Sequence, residues 1–363
     1  MAAAKSPSKF DQANAEAFAD RFVTTLNNGA LCLMVSVGHQ TGLFDVMSNM
    51  KPATSEAIAS ESGRNERYVR EWLGAMVTAG VVEVNPKTLE YSLPKEHGAF
   101  LTRAAGADNL AVFAQYIAEL GSVEQEILYC FHHGGGVPYS KFPRFHEVMA
   151  EDSGQSVLSS LETHILPLIP GLVDRLKSGL RVLDVGCGRG LILIRLAELF
   201  SNSKFTGYDL SEEAIAFGRE TAAKKGLKNL QFQVRDLSDF HRTAEKEAFD
   251  WVTTFDAVHD QARPLQVLKG IYRTLKPDGV YLMQDIKGSS EVHKNIDHPI
   301  GTLLYTISCM HCMTVSLAQG GEGLGAMWGE EKTREYLENA GFTSIVTNEL
   351  GHDIQNNWYV VHK

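Results

Sequence analysis

The sequence has no long unbroken hydrophobic run. Its greasiest stretch, residues 29–37, is far shorter than the ~18 residues a membrane span requires, so no membrane partner is expected. The first residues, MAAAKSPSKF, hold one early lysine but no apolar segment and no small-residue cleavage pattern. They are not expected to act as a secretory leader. Cysteine is scarce: five residues, at 32, 130, 187, 309 and 312, odd in number and without pattern. That excludes a disulfide framework and suits a reducing compartment, so the expected location is the cytoplasm. Repeats and low-complexity tracts are missing too, as is any basic excess. There are 34 basic and 44 acidic residues, a net charge of −10, which argues against a nucleic-acid partner. What remains is a globular composition, 44% hydrophobic and 21% charged over 363 residues, long enough for two domains.

Residues 12–37 place Ala17, Phe18, Phe22, Leu26, Leu31, Met34 and Val35 at helical spacing. Thr54 or Ser55 stands where a short helix would be capped. A second helix over residues 66–79 turns Val69, Leu73, Met76 and Val77 inward, and Gly80 ends it. Residues 81–93 alternate on either side of a Pro-Lys-Thr turn and read as a hairpin. Helix, turn, helix, hairpin is the order of a winged helix-turn-helix. Over residues 51–85 four basic residues face five acidic ones, whereas DNA binding needs a basic face that displaces counterions. Dimerisation and a share of the substrate wall are the expected roles.

Residues 100–175 read as helical, interrupted by His132-His133 and three glycines before Val137-Pro138-Tyr139. Beyond Leu180 strands are expected at 181–185, 204–208, 230–234, 250–255 and 280–285. Helices begin between them near Gly190, Ser211 and Pro264. Such alternation predicts a parallel sheet with helices on both faces. A helix over 330–340 and edge strands at 343–349 and 358–361 complete the chain. The expected division is 1–99 winged-helix dimerisation domain, 100–175 helical linker and lid, and 176–363 ligand-binding domain.

The chemistry centres on Val182-Leu-Asp184-Val-Gly186-Cys-Gly188-Arg-Gly190. A glycine turn at the carboxyl end of a strand is where doubly wound sheets bind ligands, and glycine lets the backbone approach them closely. A dinucleotide fingerprint would need a glycine at 191, which is leucine. The acid two residues before the first glycine would repel a pyrophosphate, but it attracts a cationic ammonium or sulfonium. That favours S-adenosylmethionine over NAD. Asp209, followed by Leu210, ends the second strand about twenty residues on, where an acid accepts both ribose hydroxyls. Asp236 and Leu237 end the third strand, suited to the adenine amino group and edge. Phe255-Asp256 closes the fourth.

LDVGCGRG, GYDLS, VRDLSDF and LKPDGVYLMQD resemble the ordered motifs of class I S-adenosylmethionine-dependent methyltransferases, over about half of the chain. The first half, with GHQTGLFDVM and RYVREWLGAMVTAGVVE, is similar to bacterial and plant winged-helix O-methyltransferases acting on small molecules. The resemblance implies an α/β fold, a Rossmann-like seven-stranded domain behind an all-α winged-helix and helical domain. It also implies that Asp184, Gly186, Gly188, Asp209, Leu210, Asp236, Leu237 and Phe255 hold S-adenosyl-L-methionine, that the acceptor is a small molecule, and that the chain is a homodimer. In the plant enzymes a His-Asp pair follows the fourth strand and its histidine deprotonates the acceptor. His259-Asp260 match that pair, while the usual following tryptophan is Gln261 here, so the acceptor is not carried over. Asp260, Asp256, Asp285 and Glu330 all remain candidates to orient His259.

Tyr116, Tyr139 and Trp328 fall in segments expected to roof the substrate site, and the glycine-rich loop 319–325 suits substrate entry. Cys309-Met-His-Cys312 has no second such pair, so no metal is expected. The rival reading is a non-catalytic regulator that senses S-adenosylmethionine and binds DNA or a partner through the winged helix.

Overall fold

The computed structural model describes residues 10–363, and the opening segment read as lacking a leader lies outside the described residues up to position 9. The chain forms two compact units, Met1–Ala118 and Glu119–Lys363.

In the first unit, helix α1 spans Gln12–Thr41, capped by the Asp11 side chain and closed by Gly42 in the left-handed region at φ 76°. Its buried residues gather near the end, at Ser36, Gly38 and His39, while Phe18, Phe22 and Leu26 stand exposed. Helix α2 (Leu43–Ser48) follows, then α3 (Ser55–Ser62), capped by Thr54, and α4 (Glu66–Thr78), capped by Asn65. Val69, Leu73 and Met76 face inward as expected, joined by Trp72. The Trp72 indole donates to the Met34 carbonyl at 2.8 Å. A Cβ at Gly38 would stand 2.6 Å from the Trp72 ring, so glycine is what lets α1 approach α4 this closely. The wing is the antiparallel pair β1 (Glu83–Val84) and β2 (Tyr91–Ser92), shorter than the predicted hairpin. Asn85 explains the difference. Its backbone bonds Glu90 and Leu89 and its side chain accepts from Lys87 N at 2.9 Å, local bonds that replace ladder pairs.

The second unit is built on β3 (Arg181–Val185), β4 (Lys204–Asp209), β5 (Leu230–Val234), β6 (Phe249–Phe255), β7 (Leu275–Ile286), β8 (Ser344–Asn348) and β9 (Asn356–His362). Their order across the sheet is β5-β4-β3-β6-β7-β9-β8. The first five strands are parallel, and β9 runs antiparallel to both its neighbours. The chain steps outward from β3 to β5, then returns to lay β6 on the other flank of β3. That reversal opens a crevice at the carboxyl ends of the central strands, where such sheets bind ligands. Successive β6 residues serve opposite faces, Trp251 in one core and Val252 in the other, as the two-residue period of a strand requires.

Two expectations need correction. Strand β7 begins at Leu275, which pairs with Phe249 before the register shifts and resumes at Trp251–Val280. The strand expected only from 280 therefore starts five residues earlier, and Lys276-Pro-Asp-Gly279 form a bulge inside it. Also, the helical run Gly301–Ala318 has the length and apolarity of a membrane span, with a mean hydropathy of 1.2 and 39% of it buried. Interspersed serine, threonine and histidine hid it in the sequence. A π-helical turn, Ser308–Cys312, interrupts this run.

Candidate active site

The glycine turn after β3 begins at Gly186, φ 78°, where a Cβ would meet that of Ala257 at 2.5 Å. Gly188 is also left-handed at φ 52°, but a Cβ there would touch nothing. The first glycine is thus required by packing, and the second leaves open space over the crevice. Asp209, ending β4, spans the turn: its Oδ2 accepts from Gly188 N and its Oδ1 from Ser211 N, each at 2.8 Å. The Asp236 Oδ1 accepts from Ser238 N at 2.8 Å, fixing the acid after β5.

These elements surround a cavity of about 550 Å³. Gly186, Gly188, Asp209, Leu210, Asp236, Leu237 and Phe255 all line it, together with Arg189, Arg235, Asp256 and Asp260. Asp184 lines a smaller adjoining pocket that shares Gly186, Gly188 and Phe255. It is buried, accepts from the Thr253 hydroxyl at 2.9 Å, and is pushed up to about 7 by burial. A buried carboxylate without a cation is costly, so the group is neutral below about pH 7 and a positive charge beside it would favour its ionised form.

His259 is 2% exposed and lies behind this surface, outside the cavity lining. Its Nδ1 meets Asp285 Oδ1 at 2.8 Å, which selects among the four carboxylates left open by the sequence. That same oxygen accepts from Trp328 Nε1 at 3.0 Å and from Ile286 N at 2.9 Å. Asp285 Oδ2 is buried with no partner among the described residues. Burial pulls the His259 imidazole down, yet the Asp285 carboxylate and the Cys312 thiol outweigh it, and the group stands well above its ordinary value. Asp260 instead receives the Tyr139 hydroxyl and is pushed up to about 6 by burial. Glu330 pairs with Arg334 at 2.9 Å.

The three aromatic residues expected to roof the site part company. Tyr139 lines the cavity. Trp328 is buried against Asp285 rather than over the opening, because its indole nitrogen finds its acceptor there. Tyr116 belongs to the first unit, where it is buried. Phe142, Phe145 and His146, which the sequence did not single out, complete the wall. Behind them His311 is wholly buried, parallel to Phe145 with centroids 3.3 Å apart and neither ring nitrogen bonded among the described residues. Burial holds its imidazole well below the ordinary range, hence neutral. No spacing signal in the sequence joins these residues to the glycine turn.

Residues 176–341 match the family described as Methyltransferase domain, and residues 29–103 the Rv2258c-like winged HTH domain. Among curated relatives, the ubiquinone biosynthesis O-methyltransferase of Haemophilus ducreyi is 33% identical over 111 residues, 30% of this chain and 46% of that one. EEF1A lysine methyltransferase 2 of Homo sapiens is 30% identical over 148 residues, 39% of this chain and 58% of that one. The chain thus spans about half the length of these relatives. Similar solved structures include mitomycin 7-O-methyltransferase MmcR, with a TM-score of 0.67 at 17% identity, covering 97% of this chain and all of that one (100%). Human N-acetylserotonin methyltransferase gives 0.65 at 18%, covering 98% and 99%. At such identities the likeness is one of fold.

Proposed function

We propose that this chain, a methyltransferase domain preceded by a winged helix-turn-helix domain, transfers the methyl group of S-adenosylmethionine to an oxygen, nitrogen or sulfur atom of a small molecule. One observation carries the reading: a single cavity at the sheet's reversal point gathers the glycine turn, Asp209 and Asp236, with buried Asp184 beside it. The donors fit the cofactor. The open space at Gly188 is a cradle, Asp184 faces the need for a cation, and Asp209 and Asp236 suit the ribose and the adenine, with Leu210, Leu237 and Phe255 as apolar wall. When bound, the cofactor supplies a methyl group on a positively charged sulfur, so alignment of the acceptor contributes much of the rate.

His259 is the proton sink for a protic acceptor. Asp285 fixes its tautomer through Nδ1 and stabilises the imidazolium that forms. Tyr139, Phe142 and Phe145 shape the acceptor end of the cavity and keep it apolar. The exposed Phe18, Phe22 and Leu26 on α1 support assembly as a homodimer. The test is incubation with a metabolite extract and methyl-labelled S-adenosylmethionine, followed by identification of the labelled product. Binding of S-adenosylhomocysteine without any labelled product would sink the reading.

A further inference from the structure

His259 sits behind the cavity, which leaves open what touches the acceptor's proton. Asp256 is the residue between. It lines the cavity, and its ligating oxygen, the His259 nitrogen and an Asp285 oxygen all lie within 4.8 Å of one another. Its Oδ1 is buried without a partner among the described residues, an arrangement that costs free energy unless something is received there. Its backbone is left-handed at φ 48°, one of three non-glycine residues so placed among the described residues. Strain of this kind persists where the surroundings impose it, commonly at active sites.

We propose that Asp256 is the catalytic residue that meets the acceptor and relays its proton to the His259–Asp285 pair. The inference rests on the methyl-transfer reading. The acceptor's X–H bond breaks and its proton goes to an Asp256 oxygen. The freed pair on X forms the X–CH3 bond as the sulfur keeps the pair of the broken S–CH3 bond. Asp256 then hands the proton to His259, whose imidazolium faces Asp285, and it leaves to solvent. Around Asp256 stand Asp285, Asp353 and Asp152, with His259 the opposing positive group, and burial holds its carboxyl above the ordinary range. A cation bound in the cavity favours the ionised form, the one that accepts a proton.

Asp256→Asn keeps the size, and asparagine tolerates positive φ, so this variant isolates the carboxylate. Calorimetry with S-adenosylhomocysteine is expected to show wild-type affinity, which establishes folding. In buffers of different ionisation enthalpy, wild type releases more protons on binding S-adenosylmethionine than on binding neutral-sulfur S-adenosylhomocysteine, and Asp256→Asn abolishes that difference. Labelled-methyl turnover falls about 10²-fold or more, Asp256→Glu restores part of it, and the Asp256→Asn/His259→Asn double variant loses no more than the worse single one. Undiminished turnover in Asp256→Asn, losses that simply multiply, or a proton difference that survives would each overturn the relay. So would inactivation by chelator reversed by a divalent cation, which would make the trio a metal site. Wild type yielding no product refutes the methyl-transfer reading, and the relay with it. Product from wild type with any of the contrary results refutes the relay alone.

Discussion

At the scale of single residues, buried Asp184 and His259 make the same demand on pH, since each acts in its deprotonated form. Asp184 is raised to about 7, so below that value it is neutral and offers nothing to a cation. Affinity for S-adenosylmethionine and for S-adenosylhomocysteine, both of which carry an ammonium, is therefore expected to be full above pH 7 and to fall toward tenfold per unit below it. Titration calorimetry across that range checks it, and affinity flat with pH would contradict it. His259, held above its ordinary value by Asp285, must be neutral to take a proton. The rise of the pH–rate profile should accordingly lie above pH ~6.5, and His259→Ala should lower turnover by about 10²–10⁴ with cofactor affinity unchanged. The strand-end acids were legible because each follows its own strand at a fixed local spacing. The Asp285 partner was legible only as one of four, since its contact joins residues 26 apart in sequence. Tyr139 and Asp260 meet across 121 residues, and no local pattern carries that. Trp328 was misplaced because an aromatic side chain in a late loop says nothing about where its N–H finds an acceptor.

Among the elements, α1 and α4 show how much one atom decides. Alanine normally favours a helix interior over glycine by about 1 kcal/mol. At position 38 the added Cβ would meet the Trp72 and Phe44 rings at 2.6 and 2.7 Å, and overpacking of that kind costs about 1–3 kcal/mol. Gly38→Ala is expected to lower the midpoint of chemical denaturation, whereas propensity alone would raise it. The other end of α1 was anticipated as helix, but periodicity could not say which apolar positions pack within one chain. Phe18, Phe22 and Leu26 do not. A double variant, Phe18→Ser with Phe22→Ser, should turn a homodimer into a monomer near 40 kDa by light scattering; wild type already of that mass would dismiss the interface, which at obligate size buries on the order of 2,000–5,000 Å².

For the molecule as a whole, the parallel sheet was legible from five hydrophobic runs spaced by helices, whereas the strand order with its reversal at β3 was not, since no local period says which strand lies beside which. The wall of Phe142, Phe145 and His311 was not, because it is assembled from segments with no shared period. The residues proposed to hold the cofactor all fall in the second unit. Saturating S-adenosylhomocysteine at about 100 times its Kd should stabilise the protein by about 2.7 kcal/mol, read as a rise in Tm. Proteolysis in its presence should protect residues 119–363 more than the first unit, and equal protection of both would argue that binding draws on the first unit too.

The π-helical turn at Ser308–Cys312 makes this active site sensitive to arithmetic as well as to chemistry. Such a turn holds one residue more than an α-helix would, and each α-helical residue advances by about 100° around the axis. Shortening the segment by a single residue would keep the helix and every neighbouring side chain type, yet swing His311 off Phe145 and Cys312 away from His259. A deletion at Met310 should therefore damage turnover far more than Met310→Ala. Lineages that gain or lose this one residue would change what their cavity accepts without replacing any residue that lines it.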